Sequence, residues 1–189
     1  VKMFRSGSIQ SHLTLRDKIF SLDLTLTLCI FFIGIISFFA MYSTDGGQFA
    51  YHTKSHIVRF LLFFVLFFVV SFVKTSFWYS SATLFYLGIL ILLILVKFFG
   101  LTSSGSQRWL DLYFLNLQPS ELMKIGLILF LAKYYHNISS GDVNKFRYLA
   151  QPLLALLFPV ILVITQPDLG TSFLIAVGGV IVVWLAGVK

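Results

Sequence analysis

The sequence has 189 residues, of which 58% are hydrophobic and only 11% are charged, and its formal net charge is +7. A soluble domain carries about 25% charged residues, so this composition excludes an ordinary soluble domain and indicates a membrane protein. The positive charge does not indicate a nucleic-acid partner, because basic residues in short loops set the orientation of membrane proteins.

The first 23 residues are polar and of mixed charge, and they form a predicted cytoplasmic lead-in, 1–23. Their weak periodicity fits either a short interfacial helix or a disordered segment. No cleavable signal peptide is evident, since the apolar run that follows is long enough to span a membrane. Because the chain starts at Val1 and stops at Lys189 just after an apolar run, we expect a fragment of a longer protein.

Six apolar runs follow, and the region 24–189 is predicted to form an all-α, polytopic transmembrane helical bundle. A spanning helix needs about 20 apolar residues, and the pattern places spans near 24–42, 57–73, 81–99, 121–136, 149–165 and 172–188. The polar segments Ser43–His56 and Lys74–Ser80 are predicted to be a loop and a turn. Two prolines, Pro152 and Pro159, are expected to break the fifth span.

The basic residues predict the orientation of the bundle. With the N-terminus in the cytoplasm, most of them lie inside, namely Lys2, Arg5, Arg16, Lys18, Lys74, Lys145, Arg147 and Lys189. Lys54 and Arg108 are the main ones left outside. This bias favours a cytoplasmic N-terminus, and the segments 101–120 and 166–171 then face outward.

The segment 105–124 holds four of the few charges, and it lies between two apolar runs. Arg108 is of a type suited to bidentate phosphate contact. Trp109 is either an interface anchor or a substrate contact, and Asp111 could pair with Arg108. Polar side chains between spanning segments are costly unless they are used or paired.

Glu121 and Lys124 are three residues apart in a predicted span, so they share one helix face. They could form a structural ion pair that neutralises itself. Alternatively, they line a polar cavity that holds substrate. The sequence leaves both readings open.

The dipeptide Gln-Pro occurs at two places in the chain. Gln118-Pro119 and Gln166-Pro167-Asp168 each open a predicted span from the outer side, and proline suits the first helical position. Asp168 is either a helix cap or a polar contact at the outer mouth. Two helix N-termini near Arg108 would make a mouth that favours anions, and Gln118 belongs to the same candidate site.

No metal site is predicted. The histidines His12, His52, His56 and His136 are scattered and lack metal-ligand spacing. The sequence contains no phosphate loop, dinucleotide fingerprint or nucleophile elbow.

Three ordered runs carry a family resemblance. They are 105–112 (Gly-Ser-Gln-Arg-Trp-Leu-Asp-Leu), 118–121 (Gln-Pro-Ser-Glu) with Lys124, and 166–172 (Gln-Pro-Asp-Leu-Gly-Thr-Ser). Together they resemble the SEDS family (shape, elongation, division and sporulation), and the first and last runs look more like its rod-shape members than its division members. The resemblance covers nearly the whole chain.

The resemblance implies a multi-pass enzyme of the bacterial inner membrane, of which this chain carries six of about ten helices. The enzyme would polymerise peptidoglycan glycan strands from lipid II during elongation, together with a class B penicillin-binding protein and other membrane proteins of the elongation complex. The Glu and Lys that match Glu121 and Lys124 would line a central polar cavity. No cofactor is fixed by the resemblance, although a divalent cation, Mg²⁺ or Mn²⁺, could steady the leaving diphosphate.

The family's proposed catalytic Asp lies in a large outer loop, beyond residue 189 by this resemblance. We therefore expect these 189 residues alone to be inactive and assign no catalytic residue within them. The candidate substrate residues are Arg108, Trp109, Gln118, Glu121, Lys124 and Asp168. Two other functions stay open: a lipid II flippase, and a scaffold without enzymatic activity that holds a penicillin-binding protein.

Overall fold

A computed structural model of the chain describes residues 22–103, 106–111, 116–139 and 141–188. Helices dominate, as the sequence predicted, and a small sheet lies between two of them. The chain divides into two compact units, 1–76 and 77–189. The predicted lead-in lies outside the described residues except for its last two positions.

The first unit contains two long helices, α1 (Leu24–Thr44) and α2 (Tyr51–Ser71). The carboxylate of Asp23 caps α1 by accepting from the amide of Leu26. The two helices approach closely at Gly34, where any Cβ would collide with the ring of Phe60. Near this crossing the hydroxyl of Ser37 lies 3.0 Å from Nε2 of His56.

The second unit contains four helices that pack around one apolar core. They are α3 (Thr75–Phe99, whose first two residues fall in the first unit), α4 (Pro119–His136), α5 (Phe146–Ile164) and α6 (Leu169–Leu185). Leu93 of α3, Met123, Leu127 and Leu131 of α4, and Ile175 of α6 are fully buried or nearly so. Gly179 lets α6 approach α4 and α5, because a Cβ there would collide with Leu156 of α5 and lie 3.1 Å from Leu127 Cδ2 of α4.

The fifth predicted span is continuous, which corrects the expected break at its two prolines. Pro152 and Pro159 lie inside α5, where each lacks the N–H that would bind the carbonyl four residues earlier. Two tyrosine hydroxyls donate to these carbonyls instead. Tyr134 donates to the carbonyl of Tyr148 (3.0 Å), and Tyr86 donates to the carbonyl of Ala155 (2.8 Å). The helix persists because neighbouring helices supply the missing donors.

Several helices begin earlier in the chain than the apolar runs suggested. Residues 51–56 belong to α2 and residues 75–80 belong to α3, although their polar composition predicted a loop and a turn. The reason at the start of α2 is visible at Thr53. Its side chain is fully buried, and its hydroxyl donates to Asp45 Oδ2 at 2.6 Å. A polar residue satisfied in this way fits within a helix.

Four of the helices are long and apolar enough to cross a membrane by length and composition, namely α1, α2, α3 and α5. α6 is apolar but has 17 residues. α4 has 18 residues and carries Glu121, Lys124 and Lys133, so its charges separate it from the apolar spans. The chain is a membrane-embedded helical protein.

Among the described residues between α3 and α4 there are three short strands, although an all-α fold was predicted. They are β1 (Leu101–Ser103), β2 (Ser106–Asp111) and β3 (Asn116–Leu117). Both pairings are antiparallel, in the order β1-β2-β3. The sheet fixes the segment that carries Arg108 and Trp109 immediately before the start of α4.

Candidate functional site

Arg108 projects from β2 onto the connection between α5 and α6. Its Nε donates to the carbonyl oxygen of Gln166 at 3.2 Å, and its terminal NH2 group donates to the carbonyl oxygen of Pro167. The guanidinium thus holds two consecutive main-chain carbonyls. Two sequence motifs that are 58 residues apart meet at this contact.

Asp168 caps α6 and also contacts α4. One carboxylate oxygen accepts from the amide of Thr171 at 3.2 Å, and the other accepts from the side-chain amide of Gln118 at 3.1 Å. Only 9% of Asp168 is exposed. The predicted helix cap is therefore confirmed, and the same side chain links the N-termini of two helices.

The two Gln-Pro sequences differ in their positions within their helices. Pro119 is the first residue of α4 and Gln118 is its N-cap residue, as predicted. Pro167 instead precedes the cap residue of α6, which is Asp168. The second proline therefore lies outside the helix, which corrects the idea that both prolines open their helices in the same way.

Gln166 was not among the predicted site residues, although it is the most buried residue of this connection. It is 4% exposed, and its side-chain amide donates to the carbonyl of Leu93 in α3 at 3.1 Å. Its own carbonyl accepts from Arg108. The repeated Gln-Pro pair and the run 166–172 were the sequence signals that could have identified it.

Glu121 and Lys124 form the predicted ion pair, with 2.7 Å between Glu121 Oε2 and Lys124 Nζ. The Glu121 side chain is 52% exposed and that of Lys124 is 27% exposed. They lie in the first two turns of α4, and the amide of Glu121 donates to the carbonyl of Gln118. The ion pair thus lies in α4 just after Gln118, whose side chain contacts Asp168.

Trp109 does not join these contacts. The ladder is irregular at this point, because Leu101 pairs with Trp109 and Thr102 pairs with Gln107, so Arg108 is an extra residue of β2. Trp109 is 37% exposed. The structure therefore brings Arg108, Gln118 and Asp168 together, places Glu121 and Lys124 beside them, and leaves Trp109 exposed next to Arg108 in the chain.

The described residues contain no cluster of metal ligands. Within them, no three His, Cys, Asp or Glu side chains come together. Both oxygens of Asp168 are engaged by protein donors, and Glu121 is paired with a lysine. We therefore assign no metal-binding role to this part of the chain.

One further pair of charges lies in the connection between α4 and α5, away from the polar cluster formed by Arg108, Gln118, Glu121, Lys124 and Asp168. Lys145 Nζ lies 2.5 Å from Asp142 Oδ1. The hydrogen bonds from Lys145 and Ser139 lower the pKa of the Asp142 carboxyl, and the bond to Asp142 raises the pKa of Lys145. The pair follows the C-terminal end of α4, whereas Gln118 and Glu121 lie at its N-terminal end, so it has no part in the candidate site.

Comparison with known proteins agrees with the motifs. Residues 17–189 match the family model for FtsW, RodA and SpoVE, which is described as a cell cycle protein family. A probable peptidoglycan glycosyltransferase FtsW of Buchnera aphidicola (subsp. Baizongia pistaciae) is 30% identical over 86% of this chain and 44% of its own length. The peptidoglycan glycosyltransferase MrdB of Escherichia coli K12 is 40% identical over 55% of this chain and 28% of its own length.

Solved structures share the fold. The rod shape determining protein RodA of Thermus thermophilus superposes with a TM-score of 0.78 at 29% identity, over 89% of this chain and 55% of that chain. A chain of a peptidoglycan synthase complex that coordinates polymerization and crosslinking gives the same TM-score over 88% of this chain and 48% of its own. The present chain spans less than half the length of the two curated relatives and about half of the solved chains.

Proposed function

Since this chain belongs to the FtsW/RodA/SpoVE family, that is, to SEDS, we propose that the whole protein is a peptidoglycan glycosyltransferase that polymerises glycan strands from lipid II. The observation that carries this proposal is the family match over residues 17–189. Relatives named as peptidoglycan glycosyltransferases support it. The polar cluster at one end of α4 and α6 supplies a place for a charged lipid headgroup.

In the proposed reaction, a sugar hydroxyl of one precursor attacks the anomeric carbon of another. The new glycosidic bond forms as the bond to the diphosphate breaks, and a general base accepts the hydroxyl proton. Negative charge develops on the departing diphosphate, and nearby cations stabilise that charge. Lys124 is the cation of the cluster that we assign to this role, whereas the guanidinium of Arg108 is held by two main-chain carbonyls.

The described carboxylates of the cluster are poorly suited to act as the base. Asp168 accepts two hydrogen bonds, and Glu121 is paired with Lys124. We therefore assign the base to the acidic residue of the outer loop that the family resemblance implies. The residues described here would bind and orient the precursor, with Gln118 and Asp168 shaping the mouth and Trp109 beside it.

We assign the protein to cell elongation rather than division. The runs at 105–112 and 166–172 favour this choice, and the likeness to a rod shape determining protein supports it. The resemblance to FtsW proteins is the competing observation. Complementation separates the two roles: restored rod shape in cells that lack their elongation polymerase supports the assignment, whereas restored septation alone would contradict it.

The proposed setting is the bacterial inner membrane, with a cytoplasmic N-terminus and the cluster at the outer face. The distribution of basic residues supports this orientation. A class B penicillin-binding protein is the proposed partner, because a similar chain lies in a peptidoglycan synthase complex. Cysteine labelling from outside the cell at position 111 would test the orientation, and labelling from the cytoplasm alone would contradict it.

The decisive experiment uses the purified full-length protein with its partner and fluorescent lipid II. Lengthening of glycan chains in detergent supports the proposal. A flippase would move the label across vesicles without making polymer. A scaffold would do neither and would still co-purify with the penicillin-binding protein. Either of these results would replace the glycosyltransferase assignment.

A further inference from the structure

We propose that Arg108 is a positioning residue, which places Asp168 and the start of α4 through the main chain of the α5–α6 connection instead of binding the diphosphate itself. This inference rests on the proposed function. It starts from the two carbonyls that the guanidinium holds, those of Gln166 and Pro167. A planar guanidinium presents several donors in a fixed fork, so it can fix two consecutive carbonyls in one orientation.

The carbonyls that Arg108 holds lie immediately before the N-cap of α6. Asp168 follows directly and uses one oxygen to cap its helix. The contact between Arg108 and the two preceding carbonyls therefore restricts where Asp168 can lie. On the other side, the buried amide of Gln166 binds α3 through the carbonyl of Leu93, so the connection is held from two directions.

Hydrogen bonds continue from Asp168 to the ion pair. The second oxygen of Asp168 accepts from the Gln118 side chain, and the carbonyl of Gln118 accepts from the amide of Glu121. Glu121 in turn binds Lys124. Arg108 is thus connected to the cation of α4 through main-chain and side-chain contacts. Arg108, which belongs to β2, thus helps to position the start of α4.

Substitution by lysine separates positioning from charge. Lysine keeps the positive charge but offers a single nitrogen in place of a fork, so Arg108→Lys should lose the contact with one of the two carbonyls. A direct diphosphate contact would survive this change in part. A positioning contact would be lost nearly as much in Arg108→Lys as in Arg108→Gln.

The test measures glycan polymerisation by the full-length protein with its partner, using fluorescent lipid II. We expect Arg108→Lys and Arg108→Gln to lower kcat by similar factors, about 10- to 100-fold, with KM changed less than about twofold, because misplaced groups cost rate more than binding. Arg147→Lys and Arg147→Gln, at an exposed position of α5, serve as matched controls. A raised KM in Arg108→Gln with near-normal kinetics in Arg108→Lys would overturn the proposal.

Gln118→Leu provides a second test that leaves Arg108 in place. Both changes act on the same connection, so the kcat of the Arg108→Lys/Gln118→Leu double variant should be no lower than that of the worse single variant. Independent, multiplying losses would reject the proposal. If Arg108→Lys does not fold, the same comparison is made with Arg108→Gln and the Arg108→Gln/Gln118→Leu double variant.

Hydrogen exchange distinguishes this proposal from the proposed function. In Arg108→Lys the amides of 169–172 should exchange faster than in the unchanged protein, and those of 153–158 should not. This result does not depend on lipid II. If the unchanged protein makes no polymer but shows the exchange pattern, the glycosyltransferase assignment fails and the positioning contact stands. Unchanged exchange at 169–172 would remove the positioning role.

Discussion

The hydroxyl of Tyr86 donates a hydrogen bond to the carbonyl oxygen of Ala155 over 2.8 Å. In an uninterrupted helix this oxygen would bind the amide of residue 159, but that residue is a proline. A side chain from α3 therefore supplies a donor that α5 cannot supply to itself. The contact explains why a proline in the middle of a helix is tolerated here.

Removing this hydroxyl should destabilise the bundle. Tyr86→Phe keeps the ring that stacks on Phe130 but leaves a buried carbonyl without its donor, at a cost of about 1–3 kcal/mol. In a Pro159→Ala background the helix regains its own amide, so the same change should cost clearly less. Thermal unfolding in detergent measures both differences. Equal costs in the two backgrounds would show that the hydroxyl does not replace the missing amide.

The carboxylate of Asp168 should matter more for stability than an ordinary helix cap. Asp168→Ala removes the cap of α6 together with the hydrogen bond from Gln118, and we expect a loss of about 2–3 kcal/mol. Asp23→Ala is the matched control, because the exposed Asp23 caps α1, and about 1 kcal/mol is expected there. Calorimetry or thermal unfolding compares the two. A smaller loss for Asp168→Ala would argue against a link between α4 and α6.

The Glu121–Lys124 pair should affect activity more than stability. The Glu121 side chain is 52% exposed, and exposed ion pairs contribute only about 0–1 kcal/mol. Glu121→Ala in the intact protein should therefore lower the unfolding temperature only moderately. It should abolish polymerisation, because the proposed function assigns the pair to binding the precursor. The charge swap Glu121→Lys/Lys124→Glu restores the pair but exchanges the two charges, and it should stay inactive. Full polymerase activity in Glu121→Ala would contradict a role in the cavity.

Acid should loosen the junction between α1 and α2. Asp45 Oδ2 accepts from the amide of Thr53 at 2.7 Å and from its hydroxyl, and these bonds lower the pKa of the Asp45 carboxyl. A lowered pKa means stability that is present above the ordinary carboxyl pKa of about 3.9 and lost as the pH falls through the folded value. Hydrogen exchange at the Thr53 amide should therefore rise on acidification below that range.

Asp45→Asn supplies the control for this acid step. Its side chain does not titrate, so exchange at Thr53, corrected for the intrinsic pH dependence of exchange, should no longer change below pH about 4. The protection at neutral pH should be lower than in the unchanged protein, since the charged acceptor is gone. An unchanged acid response in Asp45→Asn would assign it to another group.

Composition and apolar runs alone determined the class of the protein. Long stretches of Leu, Ile and Phe must avoid water, and in lipid their backbone groups must be satisfied within the segment. The sequence therefore specified a helical membrane bundle. The spacing of Glu121 and Lys124 determined their pairing, because it is a local property of one helix. The cap at Asp168 was local as well.

The tertiary structure decided what depends on distant partners. Three features involve residues far apart in sequence: the hydrogen bonds of Arg108, the burial of Gln166, and the continuation of α5 past Pro152 and Pro159. Local propensity predicts a break at a proline because it counts only the donors of the helix itself. Packing brings in donors from other helices, and their positions are fixed only when the whole bundle has folded.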